Sequence, residues 1–189
     1  MAASPAGGAL VSGSAGTPPV LVEFRGADFA FTIAACVAEA PVSSAYFLAD
    51  VDAGTLDGSS IFRIVNIGSQ PANHPAKIEV IQMGLRENDP TIAPTIQHES
   101  TNRTGLRHKR GTVSLARFAP GAVYHSMFVC MRDEPCLDEG GARNPDRLGF
   151  AAFGYVARGF EQLQRIFKEH SHAVEYLDTP ILLRTVRRV

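Results

Sequence analysis

The stretch "GSSIFRIV", residues 58–65, decides how the chain is read. Its Ile, Phe and Val content predicts a short strand, and strict alternation places Ile61, Arg63 and Val65 on one face and Phe62 and Ile64 on the other. Both faces look apolar, yet a guanidinium that stays charged interrupts one of them. Such a cation needs a partner, an edge or a task.

The segments around it extend the same pattern. "VLVEFRG" (20–26) and "DFAFTIAA" (28–35) predict an antiparallel pair joined at Gly26–Ala27. "APVSSAYFLADVDAG" (40–54) predicts a helix, with Pro41 at its start, Gly54 at its end and Ala45, Phe47, Leu48 and Val51 turned inward. After the strand 60–66 comes a loop, "NIGSQPANHPA" (66–76), and then the strand "KIEVIQMG" (77–84). Residues 85–109 are polar and irregular, as expected of an ordered loop that carries function. Strands are expected at 111–118, 126–131 and 150–158, a helix over "GFEQLQRIFKEH" (159–170) with Leu163, Ile166 and Phe167 inward, and a final strand over "PILLRTVRRV" (180–189). Many short strands with two well-separated helices favour a closed barrel with helices over its ends.

Composition sets the bounds. With 189 residues, 45% hydrophobic and 20% charged, the chain suits one globular domain over 19–189. Residues 1–18, rich in Ala, Gly, Ser and Pro, read as a flexible tail. The tail lacks a basic n-region and a continuous apolar core, so it does not read as a signal peptide. The formal net charge of −1 gives no basic field for nucleic acid or an anionic membrane. The runs "RHKR" (107–110) and "RTVRR" (184–188) read as solvated surface. Cys36, Cys130 and Cys136 form neither a paired framework nor a CxxC, which suits a reducing compartment such as the cytoplasm. An exported chain that has lost a signal peptide remains open. "EHSH" (169–172) offers two histidines and a glutamate but no second ligand cluster, and reads as a solvated helix end. His98, His108 and His125 are dispersed along the chain. "NRT" (102–104) and "GGARNPDRLG" (140–149) are weak matches to glycosylation and phosphate-loop patterns.

Seven motifs in order, "APVSSAYFLADVDAG", "SSIFRIV", "EVIQMG", "GTVSLAR", "SMFVC", "CLDEGG" and "GFAAFGYVARGFEQLQRI", resemble the cyclophilin family of peptidyl-prolyl cis-trans isomerases over about residues 20–189. The loop at 66–76 and the segment "GGARNPDRLGFAAFG" (140–154) resemble a bacterial branch. The resemblance implies a mainly β fold, a closed eight-stranded antiparallel barrel capped by two helices, with a substrate groove on its outer face. It implies a monomer that uses no cofactor or metal and acts on proline-containing peptides or unfolded proteins. Arg63 matches the catalytic arginine, Phe128 the base of the proline pocket, and Leu137 and Val80 its aliphatic wall. Gln82 matches the glutamine that positions the arginine, and Ala116 and Arg117 the edge that pairs with extended peptide. Ser126 stands where the family usually has glutamine, Met127 replaces a phenylalanine, Cys136 a tryptophan found in many eukaryotic members, Phe150 a frequent histidine and Glu79 a pocket phenylalanine. These departures lead us to expect a working site with reduced or shifted catalysis and weak binding of cyclosporin-like ligands. The rival expectations are a binding module for proline-containing segments and a groove re-used for another small-molecule reaction.

Overall fold

The computed structural model describes residues 17–86, 91 and 94–189. The expected tail lies outside the described residues except at Thr17 and Pro18, which are exposed. The fold is mainly β: one curled antiparallel sheet of nine strands with three helices.

The first hairpin joins β1 (Val20–Arg25) to β2 (Ala30–Ala35) in a register that pairs Val22 with Ile33 and Phe24 with Phe31. Helix α1 (Pro41–Asp52) then leads to β3 (Ser60–Val65) and β4 (Val80–Gly84). A single helical turn, α2 (Thr101–Thr104), interrupts the long polar loop. Strands β5 (Thr112–Ala119), β6 (Ala122–Cys130) and β7 (Ala152–Arg158) follow, then helix α3 (Phe160–His170) and two strands, β8 (Tyr176–Leu182) and β9 (Thr185–Arg188). The strand order is β8-β3-β4-β6-β5-β7-β2-β1-β9.

Eight strands and two helices were expected from the sequence. The difference lies in α2 and at the C-terminus, where a single expected strand over 180–189 is two. Its first part starts earlier, at Tyr176, and pairs with β3, whereas its second part pairs with β1. Between them, the Leu183 N–H donates to Ser59 O (2.8 Å) and the Arg184 N–H to Arg25 O (2.7 Å). The two edge strands of the sheet are therefore consecutive stretches of chain.

Alternation sorts most side chains onto two faces. Ile33, Ile81, Met83, Val113, Leu115, Met127 and Val129 point to the main core with Phe24, Phe31, Phe47 and Phe153. The aromatic rings of this core stack in a chain, Phe24 on Phe31 at 4.9 Å and Phe47 against Phe153 at 5.0 Å between centroids. A second, smaller apolar cluster gathers Val65, Ile78, Val80, Phe128, Cys130 and Leu137. It covers the opposite face of β3, β4 and β6, because Val80 and Phe128 alternate with residues of the main core.

Strand β3 breaks the alternation predicted for it. Ile61 pairs with Met83 and Arg63 with the very next residue of β4, Gln82, so Phe62 is an extra residue in the ladder. This bulge places Ile61 in the main core together with Ile64, while Val65 joins the outer cluster. Ile61 and Arg63 do not share a face. The polar side chain belongs to the outer wall only because one residue is left out of register.

Helix α1 is rotated relative to the sequence pattern: Phe47, Leu48 and Val51 are buried, but Ala45 is exposed and Ser43 and Ser44 take its place. Its N-terminus has no side-chain cap at Ala40. Buried Glu99, from the long loop, accepts hydrogen bonds from the N–H groups of Val42 (3.1 Å) and Ser43 (2.7 Å). A carboxylate at this end of a helix meets both orphan donors and the positive end of the dipole. Replacing Glu99 with Ala removes two charge-assisted bonds from a buried site, and a loss of about 2–3 kcal/mol in unfolding free energy is expected, measured by urea titration.

Candidate active site

Arg63, Val65, Ile78, Val80, Gln82, Ala116, Arg117, Tyr124, Phe128, Arg143 and Phe150 surround a hollow of about 110 Å³ on the outer face of the sheet. Its floor is Phe128, 6% exposed, with Phe150 meeting it edge to face at 5.1 Å.

Arg63 is fixed from two sides. Its Nη2 and Nε donate to Glu175 Oε2 at 2.6 and 3.0 Å, and its Nη1 donates to Gln82 Oε1 at 3.1 Å. Its guanidinium also lies 5.3 Å from the centroid of the Tyr176 ring, which Arg86 covers at 4.4 Å. A guanidinium carries five N–H groups. With three engaged among the described residues, one on Nη1 and one on Nη2 have no partner there.

Gln82 is itself oriented by β6, because its Nε2 donates to the Tyr124 hydroxyl (2.8 Å) and to Ser126 Oγ (3.3 Å). Ser126 Oγ in turn donates to Met83 O at 3.0 Å. This pattern forces the amide oxygen toward Arg63. Burial raises the pKa of Tyr124, so its hydroxyl stays protonated. Gly84, at the end of β4, has φ +115, and a Cβ there would lie 2.3 Å from His125 O; only glycine lets β4 and β6 approach so closely.

Arg117 is spent on structure. Its side chain is 3% exposed, gripped by both oxygens of Asp146 at 2.9 Å and by Gly149 O at 2.8 Å, and its guanidinium lies 5.1 Å from the Phe150 ring centroid. The Arg117 hydrogen bond lowers the pKa of Asp146. This fork pins the loop after residue 137 against β5, which holds Phe150 at the mouth of the hollow.

Leu137 and Ser126 do not line the hollow. Leu137 is fully buried in the cluster beneath it, and Ser126 acts through Gln82. His125 turns to the other side of β6, where its Nδ1 lies 2.8 Å from Asp50 of α1, and it does not reach the hollow. Met127 lies in the main core. Glu79 and Cys136 are likewise absent from the lining. Five participants were missed in the sequence: Val65, Ile78, Tyr124, Arg143 and Glu175. The alternation of β6 was signal enough to find Tyr124, which lies four residues from Phe128 on the same face. Glu175 had no local signal.

Behind Phe128 lies a polar chain. His108, 1% exposed, sits 6.1 Å from the Phe128 ring between centroids. Its Nδ1 is 2.7 Å from Asp138 Oδ1 and its Nε2 3.0 Å from Ser114 Oγ. Ser114 is fully buried, so this Ser–His–Asp line supports the floor and offers no nucleophile to a substrate. Among the described residues no group of three or more His, Cys, Asp or Glu side chains is placed to hold a metal, and the three cysteines are free.

Residues 22–187 match the family model for cyclophilin type peptidyl-prolyl cis-trans isomerase/CLD. The chain belongs to this family. It is 29% identical over 132 residues to peptidyl-prolyl cis-trans isomerase A of Dickeya dadantii (strain 3937), a match covering 68% of this chain and 60% of that protein. It is 31% identical over 134 residues to peptidyl-prolyl cis-trans isomerase cyp18 of Streptomyces antibioticus, covering 68% and 72%. A cyclophilin type isomerase of Cryptosporidium parvum shares the fold, with a TM-score of 0.69 at 17% identity over 90% of this chain and 98% of that one. The same protein crystallised in the presence of the dipeptide Ala-Pro gives 0.68 at 17%, over 89% and 98%.

Burial alone would raise the pKa of Asp138, but hydrogen bonds from the His108 side chain and backbone, with the charges of His108 and Arg107, bring it below the usual carboxylate range. A carboxylate depressed in the folded state adds stability above its unfolded pKa and loses it as pH falls through the folded one. Asp138→Asn is therefore expected to unfold about 1–2 kcal/mol more easily than the parent near pH 7, with the gap closing as pH falls through the lowered folded-state pKa of Asp138, as measured by denaturant titration across pH.

Proposed function

We propose that the chain catalyses rotation about X–Pro bonds in exposed or unfolded peptides. The observation that carries this reading is an arginine, with two N–H groups uncommitted among the described residues, at the rim of a small hollow whose apolar floor is Phe128 with Val80 and Phe150. A peptide bond resists rotation by about 18–20 kcal/mol because the nitrogen lone pair is delocalised into the carbonyl. Twisting localises that pair on the prolyl nitrogen and makes it a hydrogen-bond acceptor. A fixed cationic donor aimed there binds the twisted state more strongly than either planar one, which lowers the barrier. Arg63 fills this role, Phe128 with Val80 and Phe150 seats the ring, and Gln82 sets the aim of the guanidinium. Ala116 and the backbone of Arg117 offer the edge along which an extended peptide pairs. We further infer that β8 and β9, being consecutive, join the two ends of the sheet into the barrel of the family. The Ala-Pro dipeptide used with the Cryptosporidium parvum protein supports proline-containing peptides as the partner class.

The second reading, a binding module with little turnover, is favoured by Glu175. A carboxylate within 2.6 Å offsets the charge that the twisted bond needs. The same carboxylate also orients Arg63, and on the first reading orientation outweighs neutralisation, because a misplacement of about 1 Å costs up to a hundredfold.

Exchange NMR on a short Ala-Pro peptide tests both. Turnover by the parent protein, with a loss of roughly 100-fold or more in Arg63→Ala at unchanged thermal stability, is the expected result; equal rates in parent and variant remove Arg63 from its role. Glu175→Ala separates the readings: a fall of about tenfold in kcat is expected if Glu175 orients the donor, whereas a rise identifies it as a brake on catalysis.

A further inference from the structure

Three arginines line the hollow, and their charges are handled differently. Arg63 is paired with Glu175, and Arg117 is clamped by Asp146. Arg143 forms no ion pair among the described residues. Its Nη1 donates to Gln70 Oε1 at 2.8 Å and Ala76 O at 3.0 Å, with His74 Nε2 3.2 Å away. Gln70 Oε1 and Ala76 O are neutral acceptors, and they fix the side chain without cancelling its charge. Its Nε and Nη2, carrying three N–H groups, make no hydrogen bond among the described residues.

The support of Arg143 is built rather than incidental. Gln70 is 5% exposed, and its Nε2 donates to Asn66 O (2.7 Å) and Ile78 O (2.8 Å) while its Oε1 accepts from the Ile78 N–H (3.1 Å) and from Arg143. The amide is thus locked, and Arg143 is held at a defined height on the wall. Burial, and then the charge of Arg63, bear against the Arg143 cation. An anion arriving in the hollow would relieve both.

We propose that Arg143 makes this hollow selective for a carboxylate carried beside the proline, gripped by the free Nε and Nη2 edge of the guanidinium. The proposal rests on the isomerase reading for the seat of the ring and adds the chemistry of the neighbouring group. Two sources supply that chemistry: an Asp or Glu side chain flanking proline, and the free carboxylate of a C-terminal proline. A planar guanidinium edge matches either by two parallel hydrogen bonds. A basic neighbour is disfavoured, because it would place a second cation beside Arg143, whose charge no carboxylate pairs among the described residues.

The test uses the full chain and acetylated, amidated peptides with Glu, Gln or Lys immediately before proline in one set and after it in another, beside Ala-Pro with a free or amidated C-terminus. Binding is read from NMR titration, and turnover from exchange at the proline. Carboxylate-bearing peptides are expected to exceed their Lys counterparts by roughly threefold or more in affinity at low salt, with Gln between, and the spread is expected to contract at high ionic strength. In Arg143→Gln the ratio of Glu to Lys falls to near one, and Arg143→Lys restores part of it. Which arm carries the effect, the flanking side chain or the free terminus, names the source. A parent protein that turns over neutral peptides yet ranks Glu, Gln and Lys equally, or a ratio unchanged by Arg143→Gln, overturns the proposal and leaves the isomerase reading standing. Charge-ranked binding without turnover of any peptide supports the assignment of Arg143 while overturning catalysis.

Discussion

The site depends on one residue left out of register. Regular pairing along β3 would place Arg63 on the same face as Ile61, and Ile61 is in the main core. There the guanidinium would have to be desolvated in the apolar core, away from the Glu175 and Gln82 partners it has outside. The extra residue at Phe62 turns Arg63 and Val65 outward together. The Phe62 ring does not go to waste in solvent: it is 3% exposed and faces Tyr176 at 6.5 Å between centroids. A bulge in a sheet is commonly a device that re-aims a side chain, and here the side chain is the one with the chemistry.

With Arg63 outside, the surrounding wall had to become dry enough to strengthen its hydrogen bonds and polar enough to hold it. The outer cluster of Val65, Ile78, Val80, Phe128 and Leu137 supplies the first property. The second is delivered in layers. Glu175 and Gln82 touch the arginine, Tyr124 and Ser126 hold Gln82, and Asp138 with Ser114 holds the His108 ring behind Phe128. Each layer satisfies the donors and acceptors of the one in front. Polar groups this close to an apolar floor stay favourable because nearly every one has its partner.

Local pattern reached much of this and failed where geometry is non-local. The hairpin at 20–35 and the limits of α3 followed from alternation, helical spacing and turn residues. The ordered motifs led to Arg63, Gln82, Phe128, Phe150, Ala116 and Arg117, and all six meet at the hollow. Leu137 and Ser126 were placed one layer too far forward, since a motif identifies a neighbourhood and not an exposure. The bulge escaped because period-two reasoning assumes that no residue is skipped. Ala45 was placed inward on apolarity alone, although Ala contributes little when buried, and Ser43 and Ser44 are fully buried instead. Glu175 and Arg143 escaped for another reason: each sits in a polar connecting segment whose composition is that of ordinary surface, and only the folded chain brings them to the wall.

That distance has a consequence for how the site comes together. Arg63 and Glu175 are 112 residues apart in sequence, and Arg63 pairs with Tyr176 across β3 and β8. The strand that supplies these partners continues into β9, which pairs with β1 at the opposite edge of the sheet. The C-terminal segment therefore forms both sheet edges and also brings Glu175 to the guanidinium. Until it docks, Arg63 retains Gln82 as its anchor, but not the carboxylate that takes two of its hydrogen bonds. Loop-closure entropy makes such long-range pairings late and costly compared with the hairpins. The geometry of the site is thus tied to completion of the sheet: its apolar floor is built from β3, β4 and β6, whereas the carboxylate that holds two of the arginine's N–H groups comes with the C-terminal segment.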